Sequence, residues 1–496
     1  MSGVGALLPV IVPFAALWAM MAHYLPTQEN SDGLLQTIIA SQKLTVFFWG
    51  QDRFGNLLPA LTVWINNPVA NAYAQISLRI LAGLLAPCFF CSLALDRPLD
   101  IWRATLLSSL LLVSVIKPAL GWEIYIEASP YAPSLVCCGL AAMALSASAA
   151  RRGGAAWAWR LLGIGLLLTG YVVNFAQIVL ALPLIGLLAL VRRSRRLAWL
   201  LFWHVVAAAF GFAMSRRFGA GAPTDLGASF DSANFARYWA VLWLNTGWRF
   251  ALAIGAPVVL FVLAASTRWR DPAWRASARV LASILAVLAL FFVIVASSKW
   301  LAMNAFDQRY FVPGYLLLSA AGGIALWHCV GLLVAHWARS REWFAGVTLA
   351  LLIVTFAHLR ALDLVTHEVI GDGNAPLAYA AGERAVELPL DAIAGDYWLV
   401  WPSVFMAEQF RYNTDANVPD VLGITFRGDA RRDAFIARLR QRGTLRVGCI
   451  DLDAAACARF AATFMTAPDL RGEEFAPAEA LPAGHALHLV KLLDAP

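Results

Sequence analysis

Long apolar runs separated by short polar segments dominate the first 362 residues of the chain. A helix needs about 20 mostly apolar residues to cross a bilayer, and most of the runs reach or approach that length. The pattern therefore predicts a polytopic α-helical membrane protein with about eleven spans, at 4–25, 71–95, 101–119, 133–150, 157–173, 176–191, 197–215, 246–266, 279–298, 312–334 and 344–362. The first run lacks a basic leading segment and a small-residue cleavage site, which predicts a retained span.

The stretch 157–191 is long enough for two short spans or for one long, broken span. Asn174 and Gln177 interrupt its apolar pattern, and we predict two spans. A single span would place every later loop on the opposite side of the membrane.

The basic residues set the predicted orientation. Arginines cluster at 151–152, 192–196, 268–279 and 339–341, and such clusters mark cytoplasmic loops. The N-terminus is then cytoplasmic, and 26–70, 120–132, 216–245, 299–311 and 363–496 lie outside, although Arg216 and Arg217 fall on the unfavoured side. Because topology explains the net charge of +7, nucleic-acid binding is not expected.

Composition supports the same class of protein. The chain is 60% hydrophobic and only 14% charged, whereas soluble domains carry roughly 25% charged residues. Its 20 tryptophans suit a protein with two membrane–water interfaces.

The chain changes character after the last apolar run. Segments 398–405, 421–426 and 445–452 predict short buried strands, and 429–442 and 452–464 have helical spacing. We therefore predict a transmembrane catalytic domain over 1–362, which includes the first outer loop 26–70, and an extracytoplasmic α/β domain over 363–496.

Two cysteines fall in this predicted exported domain, Cys449 and Cys457. An oxidising compartment permits a disulfide between them, but their spacing leaves the pairing open. The other five cysteines lie in predicted spans, where cysteine acts as a small apolar residue.

Asp32 follows the first span by a few residues, with Glu29 beside it. One interpretation is a helix N-cap by Ser31 or Asp32 ahead of the helix-like residues that follow. The other is a general base or metal ligand at the membrane surface, since carboxylates at that depth are costly unless they have a function.

Asp52 and Arg53 form a second charged pair in the same loop, flanked by aromatic residues. They predict either an ion pair that fixes the loop or a functional pair. In the functional case Arg53 binds a phosphate with its two-pronged guanidinium, and Asp52 orients a hydroxyl group or a ligand.

Lys299, Asp307, Arg309 and Tyr310 lie between two late spans, on the predicted outer side. Lysine and arginine near helix ends commonly extend toward lipid headgroups. The alternative is a phosphate clamp for a lipid carrier.

Lys117, near the outer end of the third span, is predicted to be buried, and its charge then needs an anion such as Glu123 or a lipid phosphate. The sequence contains no P-loop, HExxH, GxSxG or Cys/His metal spacing, so ATP-driven transport and zinc proteolysis have no support.

Taken together, these features resemble the GT-C superfamily of polytopic glycosyltransferases, and within it the protein-mannosyltransferase and aminoarabinose-transferase branch. The matching features are Asp32 in the first outer loop, the short interfacial segments 33–46 and 54–65, and RYFVPGYLLLS at 309–319. The segment GDYWLVWPSVF at 395–405 is similar to a Tyr-Trp segment in the soluble tails of some members.

The resemblance implies an inverting glycosyltransferase of the bacterial inner membrane that uses a polyprenyl-phosphate-linked sugar donor. Asp32 or Asp52 would be the base, because Gly33 stands where many members have a second acid. The donor phosphate would meet Arg53, Lys117, Lys299 and Arg309, and Glu29, Asp307 and Tyr310 would support the acceptor. Membrane lipids surround the site, the acceptor is a lipid, glycan or protein, and a divalent metal (Mg or Mn) is optional.

Other functions remain open from the sequence. A lipid-linked sugar flippase or transporter would place its charges around a cavity at the membrane midplane, whereas these charges gather at the outer rim. An O-antigen ligase or polymerase usually has its largest outer loop between late spans. A non-catalytic scaffold predicts that Asp32 and Asp52 are dispensable.

Overall fold

The computed structural model describes residues 3–25, 27–51, 54–127, 130–219, 232–304, 307–335, 340–362, 364–366, 368–371, 373–414, 419–467 and 469–494. The chain forms two compact units. The helical unit comprises Met1–Pro26, Arg79–Met214 and Thr224–Val365, and the α/β unit comprises Thr27–Leu78, Ser215–Pro223 and Thr366–Pro496.

The α-helices in chain order are α1 (Gly3–Tyr24), α2 (Ser31–Gln42), α3 (Leu57–Thr62), α4 (Pro68–Leu85), α5 (Cys88–Ala94), α6 (Pro98–Val113), α7 (Pro118–Tyr125), α8 (Tyr131–Ala149), α9 (Gly153–Val173), α10 (Ile178–Arg192), α11 (Arg195–Phe218), α12 (Ser232–Thr267), α13 (Pro272–Ala296), α14 (Lys299–Met303), α15 (Val312–Ala335), α16 (Ser340–Leu362), α17 (Ala375–Glu387), α18 (Tyr397–Thr414), α19 (Arg432–Arg442) and α20 (Ala454–Met465). The strands are β1 (Ala392–Ala394), β2 (Leu422–Ile424), β3 (Thr444–Ile450), β4 (Leu470–Ala480) and β5 (Ala486–Asp494).

The membrane-spanning architecture matches the apolar pattern. Within the described residues, 10 helical stretches are long and apolar enough to cross a membrane, namely Leu7–Tyr24, Pro68–Ala94, Tyr131–Ala149, Gly153–Val173, Phe175–Arg192, Arg195–Phe218, Thr246–Thr267, Pro272–Ala296, Gln308–Gly331 and Glu342–Leu362. The polytopic helical class is therefore confirmed.

One predicted span is shorter than expected. The run 101–119 folds as α6, a helix of 16 residues that ends at Val113, and Pro118 then begins α7. At about 1.5 Å per residue, α6 is shorter than the hydrocarbon core of a bilayer. Its side chains from Ala104 to Val113 are all buried in the helical unit.

The divided stretch 157–191 forms two helices, as predicted. A short 3-10 turn, Phe175–Gln177, separates α9 from α10. The side chain of Asn174 accepts a hydrogen bond of 3.1 Å from the amide of Ala176, which satisfies one of the donors that the break exposes.

The α/β unit contains a five-stranded sheet with strand order β2-β1-β3-β5-β4. β1 is parallel to both β2 and β3, and β5 is antiparallel to β3 and β4. Successive β1 residues face opposite sides: Ile393 packs in the core with α2, α17 and α18, whereas Ala392 and Ala394 pack with α19 and α20. The sheet thus has helices on both faces, as the predicted α/β class requires.

The α/β unit differs from the predicted domain in its boundary. Residues Thr27–Leu78 belong to it, whereas the sequence placed the first outer loop with the spans. Hydrophobic packing explains the difference. The helix α2 was predicted as part of an interfacial segment, but it buries Leu34, Leu35 and Ile38 in the core that it shares with α18.

The predicted strand 398–405 is wrong, because these residues lie inside α18. Every residue from Val400 to Glu408 is buried, so the segment carries no polar face from which its period can be recognised. A short apolar run of this kind fits a buried strand and a buried helix equally well. The strands predicted at 421–426 and 445–452 form as β2 and β3.

The open question about the two cysteines of the C-terminal domain is answered by the structure, which joins Cys449 and Cys457 in a disulfide. Cys449 lies in β3 and Cys457 in α20, and both are fully buried. The bond ties the central strand to the helix that covers it.

A glycine in β2 tests the packing of this unit. A Cβ added at Gly423 would lie 2.4 and 2.6 Å from ring carbons of Trp401, so we expect Gly423→Ala to lower the free energy of unfolding by about 1–3 kcal/mol. Gly373→Ala is the control, since a Cβ there meets nothing within 4 Å. Thermal unfolding of the full chain in detergent measures both, and equal midpoints would contradict the close packing.

Candidate functional site

The start of α2 places Asp32 in a defined position. The N-cap is Asn30, whose side chain accepts a 3.1 Å hydrogen bond from the amide of Gly33. Neither Ser31 nor Asp32, the predicted caps, has this role. The hydroxyl of Ser31 instead donates a hydrogen bond to the carbonyl of Trp398, at 3.1 Å. The carboxylate of Asp32 contacts residues outside α2.

Asp32 lies in a cluster with Tyr397 and Arg427, here called the Asp32 cluster. Both the hydroxyl of Tyr397 and Nη1 of Arg427 donate hydrogen bonds to Oδ1 of Asp32. Arg427 Nη1 also donates to the Tyr397 hydroxyl, at 2.6 Å. The side chains of Arg427 and Asp32 are only 17% and 15% exposed, so this ion pair is shielded from water and stronger than a surface pair.

Aromatic rings surround the guanidinium of Arg427. Its Cζ lies 5.2 Å from the ring centre of Phe48, 4.7 Å from that of Tyr397 and 5.4 Å from that of Phe426. Cations at such distances are attracted by the ring faces. The rings and the Asp32 carboxylate together fix Arg427.

The phenol of Tyr397 acts as a neutral donor. Burial raises its pKa well above the usual value, and the negative charge of Asp32 raises it further, while Arg427 opposes the shift. Tyr397 therefore keeps its proton at physiological pH and holds the carboxylate by donation.

Sequence reasoning missed Tyr397 and Arg427, although a signal for them exists. Tyr397 follows β1 by three residues and Arg427 follows β2 by three residues, and these two strands are parallel neighbours. Ligand sites in open α/β sheets lie at the carboxyl ends of the strands, so polar residues after both strands are candidates for one site.

Glu29 is buried close to Gly33. Its backbone amide donates to the carbonyl of Val369, at 2.7 Å. A Cβ added at Gly33 would lie only 1.5 Å from Oε2 of Glu29. The carboxylate of Glu29 thus fills the space that any side chain at position 33 would need, which explains the glycine after Asp32.

Asp52 and Arg53 lie outside the described residues. Their predicted roles as alternative base and phosphate ligand stay predictions.

Arg309 belongs to the helical unit, in the 3-10 turn Gln308–Phe311 before α15. Its Nε donates to Oδ2 of Asp307 at 2.5 Å, and its Nη1 lies 3.3 Å from Oε1 of the buried Glu127. Two carboxylates therefore already engage the guanidinium that the sequence predicted as a phosphate clamp. Glu127, which is 182 residues away in the chain, was not predicted.

Glu123, on α7, belongs to the same group of charges. Burial raises its pKa to about 8, the charges of Glu127 and Asp307 add to the rise, and Arg309 opposes it. Within the described residues its Oε2 is buried without a hydrogen-bond partner. A buried carboxyl without compensation prefers the neutral form.

This shift predicts a pH-dependent stability. An acid whose pKa is higher in the folded chain than in the unfolded chain stabilises the fold at low pH, and that contribution is lost as the pH rises through the folded value, here about 8. We expect Glu123→Gln to raise the thermal midpoint above that of the wild type near pH 9 but not near pH 5. Thermal unfolding across this range measures the effect. A difference independent of pH would contradict it.

Lys117 is exposed, so its predicted burial is wrong. It is the N-cap residue of α7, and a Cβ added at Gly247 would lie 3.5 Å from its Nζ. Gly247 interrupts α12 with a φ of 71°, a conformation that favours glycine. The lysine ammonium therefore lies beside a break in a membrane helix.

Two other predicted residues of the helical unit are at least partly exposed. Lys299 is exposed at the start of α14, and Tyr310 is half-buried.

Arg79 was not predicted as a site residue. It is buried on α4, and its Nη1 donates a hydrogen bond to the carbonyl of Ile126 at 2.8 Å. An intramembrane arginine is a candidate functional residue by default.

The predicted site residues fall into both units. Asp32 and Glu29 lie in the α/β unit, and Lys117, Lys299, Asp307, Arg309 and Tyr310 lie in the helical unit. Among the described residues, no group of three or more His, Cys, Asp or Glu side chains is arranged to hold a metal ion.

The similarity of this chain to known proteins lies in structure rather than in sequence. No protein-family model matches the chain, and no curated protein sequence matches it. Among solved structures, the chain is similar to the crystal structure of ArnT from Cupriavidus metallidurans bound to undecaprenyl phosphate. The similarity covers 99% of this chain and 98% of that chain, with 13% sequence identity and a TM-score of 0.49.

Proposed function

We propose that this protein is a membrane glycosyltransferase of the GT-C type, which transfers a sugar from a polyprenyl-phosphate donor to an acceptor on the outer face of the membrane. The observation that carries the proposal is the Asp32 cluster. Here a shielded carboxylate from the segment after the first span is held by Tyr397 and Arg427 at the carboxyl ends of two parallel strands.

In the proposed reaction an acceptor hydroxyl oxygen attacks the anomeric carbon of the donor sugar. The bond from that carbon to the phosphate oxygen breaks, and the polyprenyl phosphate leaves with the electron pair. The hydroxyl proton passes to the carboxylate of Asp32, which acts as the general base. Tyr397 and Arg427 fix the orientation of that carboxylate, since both bond to Oδ1.

The departing phosphate needs positive charge as its bond breaks. We assign this role to Lys117, because its ammonium is exposed and lies beside the break in α12. Arg309 has a different proposed role: its contacts with Asp307 and Glu127 anchor the turn before α15. Arg53 and Lys299 remain secondary candidates for the phosphate.

The proposed orientation places the N-terminus in the cytoplasm and residues from 368 onward outside the inner membrane of a bacterium. The disulfide between Cys449 and Cys457 supports it, because disulfides persist in oxidising compartments. The acceptor is a lipid, glycan or protein. No step of the proposed reaction uses a metal ion.

The experiment is donor discharge by the purified full-length protein. Undecaprenyl phosphates carrying glucose, mannose or 4-amino-4-deoxyarabinose are incubated with the protein and a bacterial glycolipid extract, and released undecaprenyl phosphate is measured by mass spectrometry. We expect the protein to discharge at least one donor, and to do so only when the extract is present. A protein that discharges none of them contradicts the proposed function.

A further inference from the structure

Two exposed aromatic side chains flank the Asp32 cluster. Trp398 is 46% exposed and Phe426 is 53% exposed. Their ring centres lie 5.1 Å and 4.7 Å from that of Tyr397, whose hydroxyl bonds to Asp32. The tyrosine partner of the proposed base thus contacts two large, exposed aromatic rings.

Backbone hydrogen bonds hold the residue Trp398, and a cation–π contact holds the ring of Phe426. The carbonyl of Trp398 accepts the hydroxyl of Ser31, the residue before Asp32, and its amide donates to the carboxylate of Asp396 at 2.8 Å. Phe426 directly precedes Arg427 and lies against that residue's guanidinium. The backbone of Trp398 and the ring of Phe426 are therefore anchored beside Tyr397, and such anchoring lowers the entropic cost of binding a ligand.

The surroundings of the rings are polar. Asp396 is exposed at the start of α18, and Asp32 and Arg427 lie next to Tyr397. A lipid surface pressed onto these rings would have to cover the exposed carboxylate of Asp396 and the part of the Asp32–Arg427 ion pair that is still exposed, which is costly. A ligand with an apolar face and a rim of hydroxyl groups suits the same surface, because hydroxyls both donate to carboxylates and accept from a guanidinium.

We propose that Trp398 and Phe426 form a stacking platform for a sugar ring of the acceptor. The C–H face of the sugar would pack on the aromatic rings, and its hydroxyls would reach Asp32, Arg427 and Asp396. The acceptor is therefore a glycan or glycolipid rather than a protein side chain. This inference rests on the proposed function for the identification of the bound sugar as the acceptor, but the binding of a sugar at the platform does not depend on it.

The test is binding of the full-length protein, in lipid nanodiscs, to an array of immobilised bacterial glycans. No donor is present, so binding is measured apart from turnover. We expect the wild type to bind a subset of the glycans and Trp398→Ala to lower the affinity by about tenfold or more. Trp398→Phe keeps a ring and should retain most of the binding, which separates loss of the platform from loss of folding.

The matched control is Tyr379→Ala. Tyr379 is 53% exposed and also belongs to the α/β unit, but it contacts Phe410 rather than the Asp32 cluster, so its binding should equal that of the wild type. A wild type that binds no glycan, or Trp398→Ala and Phe426→Ala variants that bind as well as the control, would overturn the platform.

The outcomes also separate this inference from the proposed function. Donor discharge without glycan binding would refute the platform and leave the glycosyltransferase standing. Glycan binding that depends on Trp398, without discharge of any donor, would support the platform and refute the transferase. Photo-crosslinking from position 426 to phospholipid instead of glycan would show that the rings face the bilayer and would overturn the platform.

Discussion

Asp32→Asn is expected to lower the rate of sugar transfer by about 10²-fold or more, the usual scale for loss of a general base. Asparagine keeps the shape of the side chain, and its carbonyl oxygen still accepts from Tyr397 and Arg427. It cannot accept the proton of the acceptor hydroxyl. The loss should therefore appear in kcat, with little change in KM, when donor discharge is followed with purified protein.

The control for this substitution is Asp433→Asn, which changes an exposed carboxylate on α19 and should leave transfer unchanged. The thermal midpoints of both variants show whether the fold is intact. If Asp32→Asn retains full turnover and Asp52→Asn does not, Asp52 is the base. If both retain it, neither Asp32 nor Asp52 is the base.

Lys117→Met is expected to lower kcat by about 10²-fold, the scale for removing one donor from developing negative charge. The lysine is exposed beside the break in α12, so its replacement opens no cavity in the core and the fold should persist. The charge on the phosphate grows as the bond breaks, and for that reason turnover should suffer more than donor binding. Single-turnover kinetics with a labelled donor separates the two.

Lys491→Met serves as the control, because it removes the same charge from β5 in the α/β unit. If Lys117→Met keeps full turnover, and Arg309→Lys loses turnover while it remains folded, Arg309 rather than Lys117 stabilises the departing phosphate. Arg309→Lys is preferred to an exchange of Asp307 and Arg309, because the exchange would place a carboxylate at position 309 beside Glu127, which now contacts the guanidinium.

The sequence predicts those features that arise from local patterning. Apolar runs of bilayer length became membrane helices, and the polar interruption at Asn174 became the break between α9 and α10. Short apolar segments likewise located β2 and β3, and helical spacing located α19 and α20. The failure at 398–405 has a local cause too, since every residue of α18 from Val400 to Glu408 is buried and the segment shows no amphipathic period.

The site itself depends on contacts that no local pattern contains. Asp32 meets Tyr397 across 365 residues of chain and Arg427 across 395. Tyr397 lies in the Tyr-Trp segment 395–405, but neither it nor Arg427 can be assigned to a site with Asp32 until the order of the parallel strands is known. Similarly, no residue near Arg309 in the sequence indicates that Glu127 contacts it. The exposure of Lys117 follows from the end of α6 at Val113, and hydropathy alone does not predict that early end.

The most direct test of the central claim follows a labelled undecaprenyl-phosphate sugar in proteoliposomes that contain the wild type or the Asp32→Asn variant, with bacterial glycolipid in the membrane. The sidedness of the donor and the release of undecaprenyl phosphate are measured in the same sample. We predict that the wild type converts the donor to free carrier and glycosylated lipid, and that the variant does neither. A donor that crosses the bilayer intact in the presence of either protein would contradict the transferase and identify a transporter.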